Sequence, residues 1–289
     1  MFGNFFQLDG HFEKCGSQPD FNTLLVSNQI TDVLYQPDEL VADGAGRRII
    51  GKTFQNVSFS KTTLRGWTFR DCTFQDCLFI GSRIEHCEFH GCRFANCNTH
   101  KIEIESTYVD PEVFAKMLHP KQHANIGVHL FQQLLKNATD TQQPTFRNSA
   151  EYHFRNWRRY QWDYDVKTGR SALLPYLCKW LPEWLYFVFA GYGLRSRFFM
   201  IWSVVFFALV IIINHTLWSV LEITSSGKAV SEAKLIQSTY FSLVTLTTLG
   251  YGDLVPSSDA GMGIITVEAI LGIIWVSILA SIVIRRVVR

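Results

Sequence analysis

Two long stretches of the chain lack almost all charge. Residues 198–221 contain no Asp, Glu, Lys or Arg, and residues 260–284 contain only Glu268. Such runs are foreign to amphipathic surface helices. Each is long enough to cross a hydrocarbon core of about 30 Å at about 1.5 Å per residue. The start of the chain, Met1 to Phe12, lacks a basic segment followed by an apolar core, so no secretory signal is expected and the N-terminal part is expected in the cytosol. No arginine-striped helix precedes the apolar runs, which argues against a voltage sensor of the usual kind. No nucleophile and base constellation points to an enzyme. Net charge is small at +2 and excludes neither a soluble nor a membrane protein.

What is present begins with a five-residue period. Bulky apolar residues stand at Ile49, Phe54, Phe59, Leu64, Phe69, Phe74, Phe79, Ile84, Phe89 and Phe94. Two positions before the bulky residues come Val57, Thr62, Cys72, Cys77, Ser82, Cys87 and Cys92, with Cys97 continuing the series and Trp67 as a misfit. A period of five matches neither the 3.6 of an α-helix nor the 2 of a strand. Cysteines in that register read as small buried side chains rather than disulfides in a reducing compartment. A metal site from His86, Cys87, His90 and Cys92 is conceivable, but the register turns the cysteines inward. This pattern resembles the pentapeptide-repeat family, which implies a right-handed quadrilateral β-helix over residues 47–107. Residues 1–46 are expected to cap its N-terminal end, since a solenoid needs covers.

Helical patterning follows at Val109 to Leu118, Ala124 to Asn137 and Ser149 to Asp165, with Pro144 interrupting helix in the linker before the last. Residues 108–170 therefore read as a helical linker, with an antiparallel hairpin against the solenoid's C-terminal end. In residues 171–195, Pro175 and Pro182 break an apolar run, and Trp180, Trp184, Tyr186 and Tyr192 suit the headgroup level. An interfacial helix is expected there rather than a third span.

Between the two uncharged runs lie a short apolar segment, 231–247, and then Thr248-Leu249-Gly250-Tyr251-Gly252-Asp253. Backbone can re-enter the membrane only where it is buried in protein or lines a wet pore. The hexapeptide, together with the stretch Tyr240 to Thr248, resembles the two-transmembrane potassium channel family: outer helix 198–221, pore helix 231–247, filter 248–253 and inner helix 260–284 in a pore domain 196–289. The resemblance implies a homotetramer in which carbonyls of Thr248, Leu249, Gly250 and Tyr251 hold dehydrated K+, with Gly252 completing the filter. K+ is then the permeant ion and no cofactor is implied. Gly250 and Gly252 permit a backbone that alternates in handedness. Tyr251 is expected to pack against the pore helix, and Asp253 marks the outer mouth. Tyr240, Phe241, Val244, Thr247 and Glu268 are expected to support the pore and inner helices. Leu249 stands where the family usually has Val, Val244 where some members have Glu, and Phe241 where a Trp would donate to Tyr251.

Gly272 matches the family's inner-helix hinge, though close packing against the outer helix explains a glycine equally well. Glu268, one turn earlier, is either a functional ionisable group or a structural hydrogen-bonding group behind the filter. Arg195 and Arg197 before the first run, and Arg285, Arg286 and Arg289 after the second, place both ends in the cytosol of a multi-pass protein of the plasma or inner membrane. The competing expectations are a weakly selective cation channel and a membrane-tethered solenoid that binds a DNA-binding enzyme by mimicking DNA. Mimicry needs a dense acidic face, whereas residues 49–100 carry six Lys or Arg against four Asp or Glu. Nucleic acid is therefore not an expected partner; the lipid bilayer is. A cytosolic ligand of the solenoid is not specified.

Overall fold

The computed structural model describes residues 5–42, 48–193, 196–225, 227–230 and 234–287. Arg195, Arg289, the cap boundary near residue 46 and the first residues of the 231–247 segment lie outside them. The chain divides into two compact units, Met1–Glu183 and Trp184–Arg289.

The first unit is a parallel β-solenoid closed by helices. Strand partners step by one coil of twenty residues: Thr53 pairs with Thr73 and Thr73 with Arg93, while Thr63 pairs with Arg83 and Arg83 with Glu103. Three faces are continuous parallel sheets, and the bridges Ser58 to Leu78 and Leu78 to Asn98 mark the fourth. Aromatic rings stack coil upon coil, Phe54 on Phe74 at 4.9 Å and Phe74 on Phe94 at 4.8 Å, as offset rings favour.

The small inward positions also hydrogen-bond. Thiols of Cys72, Cys77, Cys87, Cys92 and Cys97 donate to the carbonyls of Ile49, Phe54, Leu64, Phe69 and Phe74, always 23 residues back. Ser82 does the same to Phe59 at 2.7 Å. Trp67 fits the scheme through its indole N–H, which donates to Leu40 at 2.9 Å while the ring stays buried. Burial pushes the Cys87 thiol up to about 11, so it stays protonated and unreactive at neutral pH.

The corners carry a third periodicity. Gly51, Asn56, Lys61, Gly66, Asp71, Asp76, Gly81, His86, Gly91, Asn96, Lys101 and Ser106 all have positive φ. Glycine, Asn and Asp enter that region with the least penalty, which is why they recur at this place in the pentads.

Before the pentads, strands Glu13–Cys15, Gln29–Tyr35 and Glu39–Val41 join the same sheets. The segment read from sequence only as a cover thus continues the solenoid, with helix α1 (Gln18–Leu24) inserted. Its coils are not pentads, since Gln29 pairs with Thr53 at a step of 24, and this hides them from a five-residue search.

At the other end, α2 (Ala124–Asp140) and α3 (Pro144–Lys167) form the hairpin. Pro144 opens α3 rather than interrupting helix, because the first helical position needs no N–H. Gly127 lets the Trp157 ring approach so closely that a Cβ there would lie 2.2 Å from it. Asn137 of α2 imitates one more coil: its Oδ1 accepts from the Thr107 N–H at 2.9 Å and its Nδ2 donates to the Thr107 carbonyl at 2.7 Å. Helix α4 (Leu173–Ala190) then runs unbroken through both prolines. Pro175 sits in its first turn, and Pro182 lies inside at the loss of one bond. Arg155 and Arg158 of α3 reach Glu183 at 3.5 and 2.7 Å.

The second unit contains α5 (Ser196–Thr216), α6 (Trp218–Leu221), α7 (Leu235–Leu246) and α8 (Asp259–Val287). The outer helix therefore ends before 221, and its last turn is the separate α6. A small antiparallel sheet joins Ile223–Ser225 to Lys228–Ala229 and Val255–Pro256. Among the described residues two helices, over Phe199–Thr216 and Asp259–Ile284, are long and apolar enough to cross a membrane, and only 22% and 11% of those windows is buried within the protomer. A soluble core helix would be covered.

Asn137→Ala leaves both backbone groups of Thr107 without partners. We expect a local loss of about 1–3 kcal/mol at the last coil, read as faster amide hydrogen exchange at residues 103–109.

Candidate ion pathway

The pore-segment backbone starts from the end of α7. Thr247 closes the helix, Thr248 turns left-handed at φ 58°, its N–H bonds to the Thr245 carbonyl at 3.0 Å and the Leu249 N–H reaches back to Val244 at 3.1 Å. This is a Schellman cap, with threonine where glycine is usual. Handedness then alternates: Thr248, Gly250 and Gly252 have φ of 58°, 52° and 76°, whereas Leu249 and Tyr251 do not enter the positive region. An alternating backbone turns successive carbonyls to the same side, where they can jointly surround a cation. The Thr248 hydroxyl donates to the Thr247 carbonyl at 2.7 Å.

Residues 247–253 are all exposed in the protomer, including Leu249 at 61% and Tyr251 at 68%. Tyr251 is thus largely uncovered within a single protomer. At the outer end the Tyr240 hydroxyl lies near the Asp253 carboxylate. Phe241 is buried edge-on against Trp218 at 6.1 Å, and the Trp218 indole donates to Val230 at 2.8 Å. Val244 is half-buried, and the Thr247 hydroxyl donates to Leu243 at 2.6 Å within α7.

The face of α7 that meets the two long helices carries Ser238, Ser242 and Leu246, each one turn apart and each almost fully buried. Sequence reading missed the two serines and Asn214. For the serines the signal was two small polar residues at a spacing of four within α7. Asn214 of α5 donates from Nδ2 to Ser242 Oγ at 2.9 Å and to Glu268 Oε2 at 3.0 Å. His215 Nδ1 and Ser238 Oγ lie 3.2 Å apart. Glu268 is therefore hydrogen-bonded behind the pore segment.

Gly272 is a contact glycine. A Cβ built there would lie 2.3 Å from the Leu246 carbonyl oxygen, and α8 continues through it without a break. The close approach is to the pore helix, not to the outer helix. Gly261 similarly meets the Leu221 backbone at 2.8 Å.

The conceivable metal group of the solenoid is not assembled: Cys87 and Cys92 face inward onto carbonyls, while His90 stacks on Tyr108 at 4.8 Å. Among the described residues no three His, Cys, Asp or Glu side chains cluster for a metal ion.

Gly272→Ala forces α8 off α7. We expect a loss of about 1–3 kcal/mol in stability, measured as a lowered thermal midpoint in detergent. A glycine serving only as a hinge leaves that midpoint nearly unchanged.

Residues 196–289, less than half of the chain, match the family model described as ion channel. No curated protein sequence and no solved structure matches the chain. The matched range begins with α5 and takes in the α7 turn, the alternating backbone and α8. Residues 196–289 thus form a C-terminal ion-channel domain built on two long apolar helices, and a pentapeptide-type β-solenoid precedes it in the chain.

Proposed function

We propose that the protein is one subunit of a homotetrameric, potassium-selective channel. The observation that carries this reading is the alternating handedness at Thr248, Gly250 and Gly252, placed directly after a capped short helix and between two apolar helices. Four such loops around one axis supply carbonyls of Thr248, Leu249, Gly250 and Tyr251 to replace the hydration shell of K+. One loop provides a quarter of the ring. The exposure of Leu249 and Tyr251 in a single protomer supports assembly, since large apolar side chains beside a pore need cover from neighbouring copies.

Asp253 sits where its charge attracts cations to the outer mouth. The C-terminal end of α7 favours a cation at the inner side, because helix carbonyls carry partial negative charge there. The basic residues that flank the long helices in sequence favour cytosolic ends for both. In that topology the solenoid is cytosolic. Helix α4 lies at the membrane surface, its exposed Leu173, Leu177, Leu181 and Leu185 recurring every four residues along one face.

The decisive experiment is flux from liposomes containing the purified protein. K+ efflux is expected at least about a hundredfold above Na+ efflux, a difference of roughly 2.8 kcal/mol between the ions. Equal fluxes contradict the selectivity, and the absence of either contradicts the pore.

A further inference from the structure

Asn214 is completely buried, and both of its amide protons are committed to different helices, one to Ser242 on α7 and one to Glu268 on α8. Three helices are joined by one side chain. The junction is in register with a second contact: Glu268 and Gly272 are one turn apart on α8, and Ser242 and Leu246 are one turn apart on α7. The first pair meets through Asn214, and the second meets directly, glycine against backbone. Two contacts one turn apart fix both the axial position and the rotation of α7 on α8. They lie within the last two turns of α7 before Thr248, where the alternating backbone begins.

A buried carboxyl among apolar helices is costly, and ionisable side chains at such depth rarely persist without a specific task. If packing alone were required, an apolar side chain at 268 would serve better. The carboxyl's recorded partner is not a cation but the amide that grips the pore helix. The serine acceptor at 242 has the same character: with Asn214 it replaces a packing contact by a directional one.

We propose that Glu268 is a positioning residue for the filter: through Asn214 it holds α7 at Ser242, so that the inner helix sets the geometry of the pore carbonyls from behind. This rests on the potassium-channel reading of residues 248–252. The consequence is a mechanical path. Displacement of α8 acts on Asn214 and the Leu246 backbone together, moves the cap formed by Thr247, Thr248 and Leu249, and alters the ring without touching an ion. Gating at the filter then needs no bend at Gly272.

The test uses the full-length protein with two readouts, the ratio of K+ to Na+ flux in liposomes and amide hydrogen exchange at residues 247–249. Glu268→Ala, Asn214→Ala and Ser242→Ala are each expected to lower the flux ratio about three- to tenfold, the factor for one interhelical hydrogen bond. Exchange at 247–249 should rise in all three. Glu268→Gln, which retains an oxygen acceptor for Asn214, is expected to restore both readouts to near the wild-type level. Wild-type values in both Glu268→Ala and Ser242→Ala overturn the proposal. So does Glu268→Gln behaving like Glu268→Ala, which would make the charge rather than the hydrogen bond the operative feature. If Glu268→Ala fails to assemble, Ser242→Ala and Glu268→Gln decide. Equal K+ and Na+ fluxes in the wild type would overturn the potassium reading instead, and the exchange readout would still decide whether Glu268 holds the pore helix.

Discussion

A backbone carbonyl away from water must find a partner, and each unit of this protein is shaped by how it meets that requirement. In the solenoid every coil offers its carbonyls to the next, and the small inward side chains take up further ones. Cysteine and serine recur there because a thiol or hydroxyl both fits and donates, which alanine does not. Where the coils run out, the side chain of Asn137 stands in for the missing strand. The pore segment inverts the same constraint. Its backbone alternates in handedness at Thr248, Gly250 and Gly252, and an ion passing along the axis is the partner proposed for its carbonyls.

Such a backbone is not self-supporting. Thr248 adopts a conformation that costs a non-glycine residue of the order of 1–2 kcal/mol, so its surroundings must hold it. The Schellman cap holds it from the helix side. Behind the cap, Ser238, Ser242 and Leu246 seat the pore helix on the two long helices. Phe241 packs edge-on against Trp218, and Val244 is half-buried. The polar contacts behind the pore segment are made by Asn214, Ser242 and Glu268.

Much of this was legible in the residues. The pentads announced the solenoid because each repeats the same two inward positions, and the hexapeptide announced the pore segment because glycine at 250 and 252 has few other uses between two apolar runs. The corner periodicity was visible but unread, since Gly, Asn, Asp, Lys, His and Ser share no chemistry, only a tolerated φ. The first coils were hidden by the step of 24 that joins them to the pentads. Pro144, Pro175 and Pro182 misled as helix breakers because a proline's effect depends on its place in the helix. Asn214 could not be paired with Glu268 from sequence alone: 54 residues separate them, and only the fold brings the helices together.

The account turns on whether the carbonyls of Thr248, Leu249, Gly250 and Tyr251 surround potassium. An experimental structure of the full-length protein assembled in a lipid bilayer with K+ measures this most directly. Four copies around one axis are expected, with a single row of ion density ringed by those carbonyls and lost or redistributed when Na+ replaces K+. A different stoichiometry, or carbonyls turned away from an axis without ions, would contradict it.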